Sequence, residues 1–264
     1  MPRLAANIDW LFTELPFAER FGAARAAGFD AVEILFPYDH DPDVLAAARE
    51  AAGTEVVLVN TPAPYRAAGD IGCAADPARR SLFRSSIERG VEMARRLGAP
   101  RLHAVAGKGN VADPAARACF VENMRLAADL AADSGLAICI EPINTVDWPG
   151  FYLSRIEQAL DLLADIDRPE VRLQFDFYHA QIMGGDLERR FRAALPVTGH
   201  IQIANPPGRN EPGVGEIDYD HVLGLVDQCG YDGPVSLEYR PLNSTLDSLA
   251  WFRNRGLLPP VTTD

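Results

Sequence analysis

The 264-residue chain is short of several things, and each shortage narrows what it can be. It has four cysteines, Cys73, Cys119, Cys139 and Cys229, far apart and with no C-x-x-C pair among them. Such spacing argues against a disulfide framework or a cysteine-bound metal and leaves reduced, mostly buried thiols. No apolar run approaches the roughly 18 residues of a membrane span. The N-terminus, Met-Pro-Arg-Leu-Ala-Ala-Asn, has no signal-peptide core. A cytoplasmic protein with no membrane partner is the expectation. Positive charge is scarce as well: 25 Lys and Arg stand against 37 Asp and Glu, a formal net charge of −12. That balance opposes a nucleic-acid partner, and it requires any anionic substrate to be met by locally placed cations. Gly107-Lys108-Gly109 lacks the second glycine and the Ser or Thr of a phosphate-binding loop. Nothing marks a linker, so 1–264 reads as a single domain, and α/β barrels commonly fill about 250 residues.

What is present is a set of apolar runs that end in a polar side chain. Leu136-Ala-Ile-Cys-Ile stops at Glu141, Val171–Asp176 stops at Asp176, 199–204 holds Gln202 near its end, and 234–239 delivers Glu238 one residue before its end. The gaps between the four are 35, 26 and 36 residues, each close to one strand-plus-helix unit of roughly 30. Within each run one parity is apolar (Ile138 and Ile140, Leu173 and Phe175, Ile201 and Ile203, Val235 and Leu237), and the other carries the polar residues. Side chains alternate faces along a strand, so an apolar parity under helices turns the polar parity towards a common interior. Three carboxylates meeting there would repel by about 4 kcal/mol per close pair at an effective dielectric near 20. A cation should sit between them. Carboxylates plus an amide oxygen suit a hard divalent ion, Mg²⁺ or Mn²⁺, better than a structural zinc.

The rest of the chain supplies the other units. Strands are expected over 3–8, 29–35, 55–60 and 101–106, with helices over 17–27, 43–52 capped by Asp43, and 77–97. A helix over 113–133 precedes the Glu141 strand. Further helices are expected from Ser154, acting as cap, to 164, then over 186–195, 219–229 and 244–255. The loop 61–76, rich in Pro, Gly and Ala, is a candidate lid. Eight alternating units argue for a closed parallel (β/α)8 TIM barrel over an open doubly wound sheet, which gathers ligands at one switch point.

The ordered set Gly28-Phe29-Asp30-Ala31-Val32-Glu33, Glu141-Pro142-Ile143-Asn144, Asp176-Phe177-Tyr178-His179, His200-Ile201-Gln202-Ile203-Ala204, Gly208-Arg209-Asn210-Glu211-Pro212-Gly213 and Glu238-Tyr239 resembles the xylose isomerase-like barrels, and within them the hydroxypyruvate isomerase family, over nearly the whole chain. The resemblance implies a divalent metal held by Glu141, Asp176, Gln202 and Glu238. Related ketose epimerases usually carry histidine where Gln202 stands. It implies an isomerase that moves a proton through an enediolate, with Glu141 and Glu238 as the proton-transfer pair. Arg209, whose planar fork matches a carboxylate, is the preferred substrate-binding cation, with His179 and Lys108 as further candidates. Glu33 and His200 read as supports beneath the metal residues, His103 as pocket or core, and His40 and His221 as surface. The implied substrate is a small hydroxy-oxo acid, hydroxypyruvate or 2-oxo-tetronate, handled by a homodimer or homotetramer. A ketose 3-epimerase or inosose dehydratase is the alternative. An endonuclease IV-type DNA-repair enzyme is opposed by the charge and by five histidines in all. A non-catalytic sugar-acid sensor is a fourth reading.

Overall fold

A computed structural model of the chain describes residues 2–63 and 69–260. Eight strands, β1 (Leu4–Asn7), β2 (Ala31–Ile34), β3 (Glu55–Asn60), β4 (Arg101–His103), β5 (Ala137–Ile140), β6 (Val171–Asp176), β7 (Thr198–Ile203) and β8 (Val235–Leu237), pair in parallel in sequence order. β8 pairs back with β1 to close the barrel. The outer helices are α1 (Glu19–Ala26), α2 (Pro42–Ala52), α3 (Arg80–Leu97), α4 (Pro114–Ala131), α5 (Ile156–Ile166), α6 (Phe177–Met183), α7 (Leu187–Ala194), α8 (Tyr219–Gln228), α9 (Thr245–Ser248) and α10 (Ala250–Arg253).

The alternation sorts the side chains as expected. Ile138, Ile140, Leu173, Phe175, Ile201, Ile203, Val235 and Leu237 all join the large core between sheet and helices. The inner face carries a small separate cluster, Ala5, Ala31, Val57, Leu58 and Cys139, with polar residues above it. Across the floor Arg101 Nε donates to the Gly199 carbonyl at 2.6 Å and its Nη1 to the Val57 carbonyl at 3.3 Å, fastening β4 to β7 and β3. Gly199 is glycine for a packing reason: a Cβ there would lie 2.7 Å from that of Arg172.

Most element boundaries fall within a few residues of the expectation, and five differences have a physical cause. α2 is capped by Asp41, which accepts from Asp43 N–H, and not by Asp43, because Pro42 takes the first helical position. β4 ends at His103, short of 106, since the Val105 and Ala106 carbonyls turn to accept from Ala74 and Ala75. Ser154 caps nothing: α5 starts at Ile156, and Gln158 reaches back to the Ser154 N–H. The 244–255 helix is two short helices, α9 and α10. α6 follows β6 directly because Asp176 is its cap, a use of that carboxylate that spacing alone did not suggest. Of the 61–76 loop, residues 64–68 lie outside the described residues, and with them the lid expectation.

Candidate active site

The carboxyl ends of the strands surround a cavity of about 270 Å³ lined by Glu141, His179, Arg209 and Glu238 together with Trp10, Phe36, Asn60, His103, Trp148 and Gln174. Glu141 follows β5, with its Oε2 3.5 Å from His103 Nδ1 and its Oε1 3.7 Å from His179 Nε2. Asp176 spends Oδ1 on capping α6, accepting from Tyr178 N–H at 2.8 Å. That leaves its Oδ2 buried without a hydrogen-bond partner among the described residues. Glu238 follows β8, and its Oε1 accepts from Arg209 Nη2 at 2.6 Å. Gln202, fully buried, pairs in register with Asp176 and Ser236, but its amide is bonded to Glu33 and Gln174 and is not part of the cavity wall.

Crowding acids into a dry space raises their proton affinity. Burial, then the charges of Glu238 and Asp176, pushes Glu141 well above the usual carboxylate range. Burial raises Glu238 to about 8 against the pull of Arg209, and Asp176 to about 6. These three carboxylates, the orphaned Asp176 oxygen among them, are what a hard divalent cation would neutralise, so the donor set fits one. Among the described residues Glu141, Asp176 and His179 offer ligand atoms within 4.8 Å of one another.

The imidazole nevertheless plays a different part. Asn144 turns its Oδ1 to the N–H groups of Val146 and Asp147, so its Nδ2 faces His179 Nδ1 at 2.7 Å, and the Asn144 backbone N–H approaches the same nitrogen at 3.3 Å. Two donors on Nδ1 make it the acceptor and place the proton on Nε2. His179 is therefore a hydrogen-bond donor aimed at Glu141 and Asp176, and burial holds it neutral by lowering its pKa well below the ordinary value.

Arg209 is the cation of the site. Its guanidinium lies 4.9 Å from the Trp10 ring and 5.0 Å from the Tyr178 ring, and Tyr178 is itself anchored to Asp147 Oδ2 at 2.8 Å. A second reach, Nη2 to Asp176 Oδ2, measures 3.7 Å. The residue sits at φ 55° in the loop between Asn205 and Asn210, which bond to each other on both sides of the turn. A non-glycine residue held there marks a position that the surroundings over-determine. Lys108 is not brought to the site: it is exposed, in a bridge with Phe151, away from the cavity lining. His103 lines the pocket, whereas His40 stacks on Phe17 and His221 pairs with Glu188, both away from it. Tyr178 and Asn144 were within reach of the sequence, since they stand inside the Asp-Phe-Tyr-His and Glu-Pro-Ile-Asn stretches. Trp10 follows β1 in a loop and carried no signal.

The closed parallel barrel agrees with the family model of the xylose isomerase-like TIM barrels, which matches residues 21–255. The chain is 40% identical over 255 residues to the 2-oxo-tetronate isomerase of Cupriavidus necator, covering 96% of this chain and 98% of that one. It is 38% identical over 254 residues to the hydroxypyruvate isomerase of Escherichia coli (strain K12), with 96% and 98% covered. A crystal structure from Brucella melitensis described as an AP endonuclease, family 2, superposes with a TM-score of 0.93 at 41% identity, covering 96% of this chain and 99% of that one. The chain belongs to the hydroxypyruvate isomerase family of these barrels.

Proposed function

We propose that this protein is a cytoplasmic, divalent-metal-dependent isomerase of a small hydroxy-oxo acid, interconverting hydroxypyruvate with 2-hydroxy-3-oxopropanoate, or 2-oxo-tetronate with its isomer. Its relatedness to 2-oxo-tetronate and hydroxypyruvate isomerases makes it an isomerase. The observation that carries the substrate class is Arg209, a largely buried guanidinium and the one Lys or Arg side chain lining the cavity among the described residues, paired there with Glu238. A neutral sugar offers that cation no carboxylate, whereas a substrate carboxylate matches its fork.

Glu141, Asp176 and Glu238, with the second lone pair of the Gln202 oxygen that already accepts from Gln174, would hold Mg²⁺ or Mn²⁺, which would supply stabilisation to negative charge developing on the substrate. The chain's own groups do the rest. Arg209 anchors the substrate carboxylate, and its cation–π contacts with Trp10 and Tyr178 keep the fork from swinging away. His179 Nε2–H donates to the developing oxyanion. Glu141 and Glu238, past strands three apart in the ring of eight, serve as acceptor and donor of the carbon-bound proton.

Proton NMR in D₂O with Mg²⁺ tests the reading by offering hydroxypyruvate, 2-oxo-tetronate and a ketohexose in turn. Deuterium should enter the carbon beside the carbonyl of one of the acids; entry into the ketohexose alone would establish an epimerase instead. Glu238→Gln should slow the exchange by about 10²–10⁴-fold.

A further inference from the structure

Beneath the carboxylates runs a line of buried hydrogen bonds whose direction is set at one end. Glu33 on β2, fully buried, receives Gln202 Nε2 on Oε1 at 2.5 Å, Asn7 Nδ2 on Oε1 at 3.1 Å, and His200 Nε2 on Oε2 at 2.6 Å. The orientation of Asn7 is independently fixed, because its Oδ1 accepts the Asp9 N–H. A carboxylate is an acceptor, so Gln202 must turn its NH₂ to Glu33 and its oxygen away. That oxygen accepts from Gln174 Nε2 at 2.6 Å. Gln174, on the neighbouring strand, must then direct its own oxygen onward. It lines the cavity at 1% exposure, and its Oε1 is buried with no hydrogen-bond partner among the described residues. A buried amide oxygen left unpaired is costly, and one beside a binding cavity is a place for a ligand's donor.

We infer that Gln174 is a substrate-binding residue, its Oε1 accepting a hydrogen bond from the hydroxyl on the carbon next to the substrate's carbonyl, with Glu33 as the positioning residue that fixes which end of the amide faces the cavity. The inference rests on the hydroxy-oxo acid reading above. It adds a specificity element to that reading: Arg209 selects for the carboxylate, and Gln174 selects for a neighbouring group that can donate.

The test uses three acids of the same hand that the enzyme does not turn over, glycerate, lactate and 3-fluorolactate, which differ only in the substituent on carbon 3. Their binding to the Mg²⁺-loaded full-length protein is measured by ligand-observed NMR. Wild-type protein should prefer glycerate over lactate by about fivefold, the effect of one net hydrogen bond of about 1 kcal/mol. It should bind 3-fluorolactate no better than lactate, because fluorine cannot donate. Gln174→Met should bind lactate as the wild type does and lose the preference for glycerate. Three results would overturn the inference alone: 3-fluorolactate matching glycerate on the wild type, which needs no variant; Gln174→Met retaining the fivefold preference; or Gln174→Met losing Mg²⁺ affinity in the absence of any acid, which would trace the lost preference to the cation and not to a bond from the substrate. A wild-type protein that binds none of the three acids and exchanges no deuterium into hydroxypyruvate or 2-oxo-tetronate would sink the substrate reading, and this inference with it.

Discussion

Arg209 shows how much a side chain's shape adds to its charge. Lysine would keep the positive charge but lose both the two-pronged fork and the flat surface that meets the Trp10 and Tyr178 rings. Arg209→Lys should therefore raise KM for the acid substrate by about tenfold or more, on the scale of one charge-assisted hydrogen bond of about 1.5–3 kcal/mol, in steady-state kinetics. An unchanged KM would show that the carboxylate is held elsewhere. At this scale the sequence was legible where alternation dictates direction: Glu141, Asp176 and Glu238 stand at strand ends on the inward parity. It was mute on Trp10, and on the proton position of His179, because both depend on loops whose path no periodicity encodes. It misplaced Lys108, whose proximity to β4 along the chain says nothing about which way the following turn leaves the sheet.

Among the elements, α2 offers a clean separation of two neighbouring acids. Asp41 caps the helix, while Asp43, two residues on in the first turn, is an exposed partner of Arg96. Asp41→Ala should cost about 1 kcal/mol of stability. Asp43→Ala should cost less than half of that, as exposed ion pairs contribute little. Chemical denaturation of the two variants checks the ranking, and the reverse order would return the cap to Asp43. Strands β3 and β6 could be read to the residue because turn-forming or charged neighbours bound their apolar runs on both sides. β4 could not, since Val105 and Ala106 are as strand-like as their predecessors and are diverted only by hydrogen bonds to a segment 31 residues earlier in the chain. α6 escaped notice because Asp176 does two jobs at once, and a residue read as a ligand was not also read as a cap.

For the whole molecule the acids set both stability and choice of partner. In the unfolded chain Glu238 ionises near 4.5, whereas burial in the folded protein raises it to about 8 and Asp176 to about 6. The folded state thus holds these protons more tightly. Their stabilising effect is fully present below the unfolded values and is lost as pH climbs from about 4.5 to about 8. With chelator present, thermal melts should show Tm falling across that window; added Mg²⁺ should restore it, most strongly at the alkaline end. A flat profile in chelator would contradict the crowded-acid site. With a net charge of −12 the chain should also leave duplex DNA unshifted in a gel at low salt, despite the similarity to a structure described as an AP endonuclease, and a salt-sensitive complex would reopen that reading. At the opposite end from all this chemistry, the Arg101 crossbar grips backbone carbonyls alone. Adaptation to heat or cold can therefore proceed by tightening or slackening the base, while the choice of what is bound at the rim is left as it was.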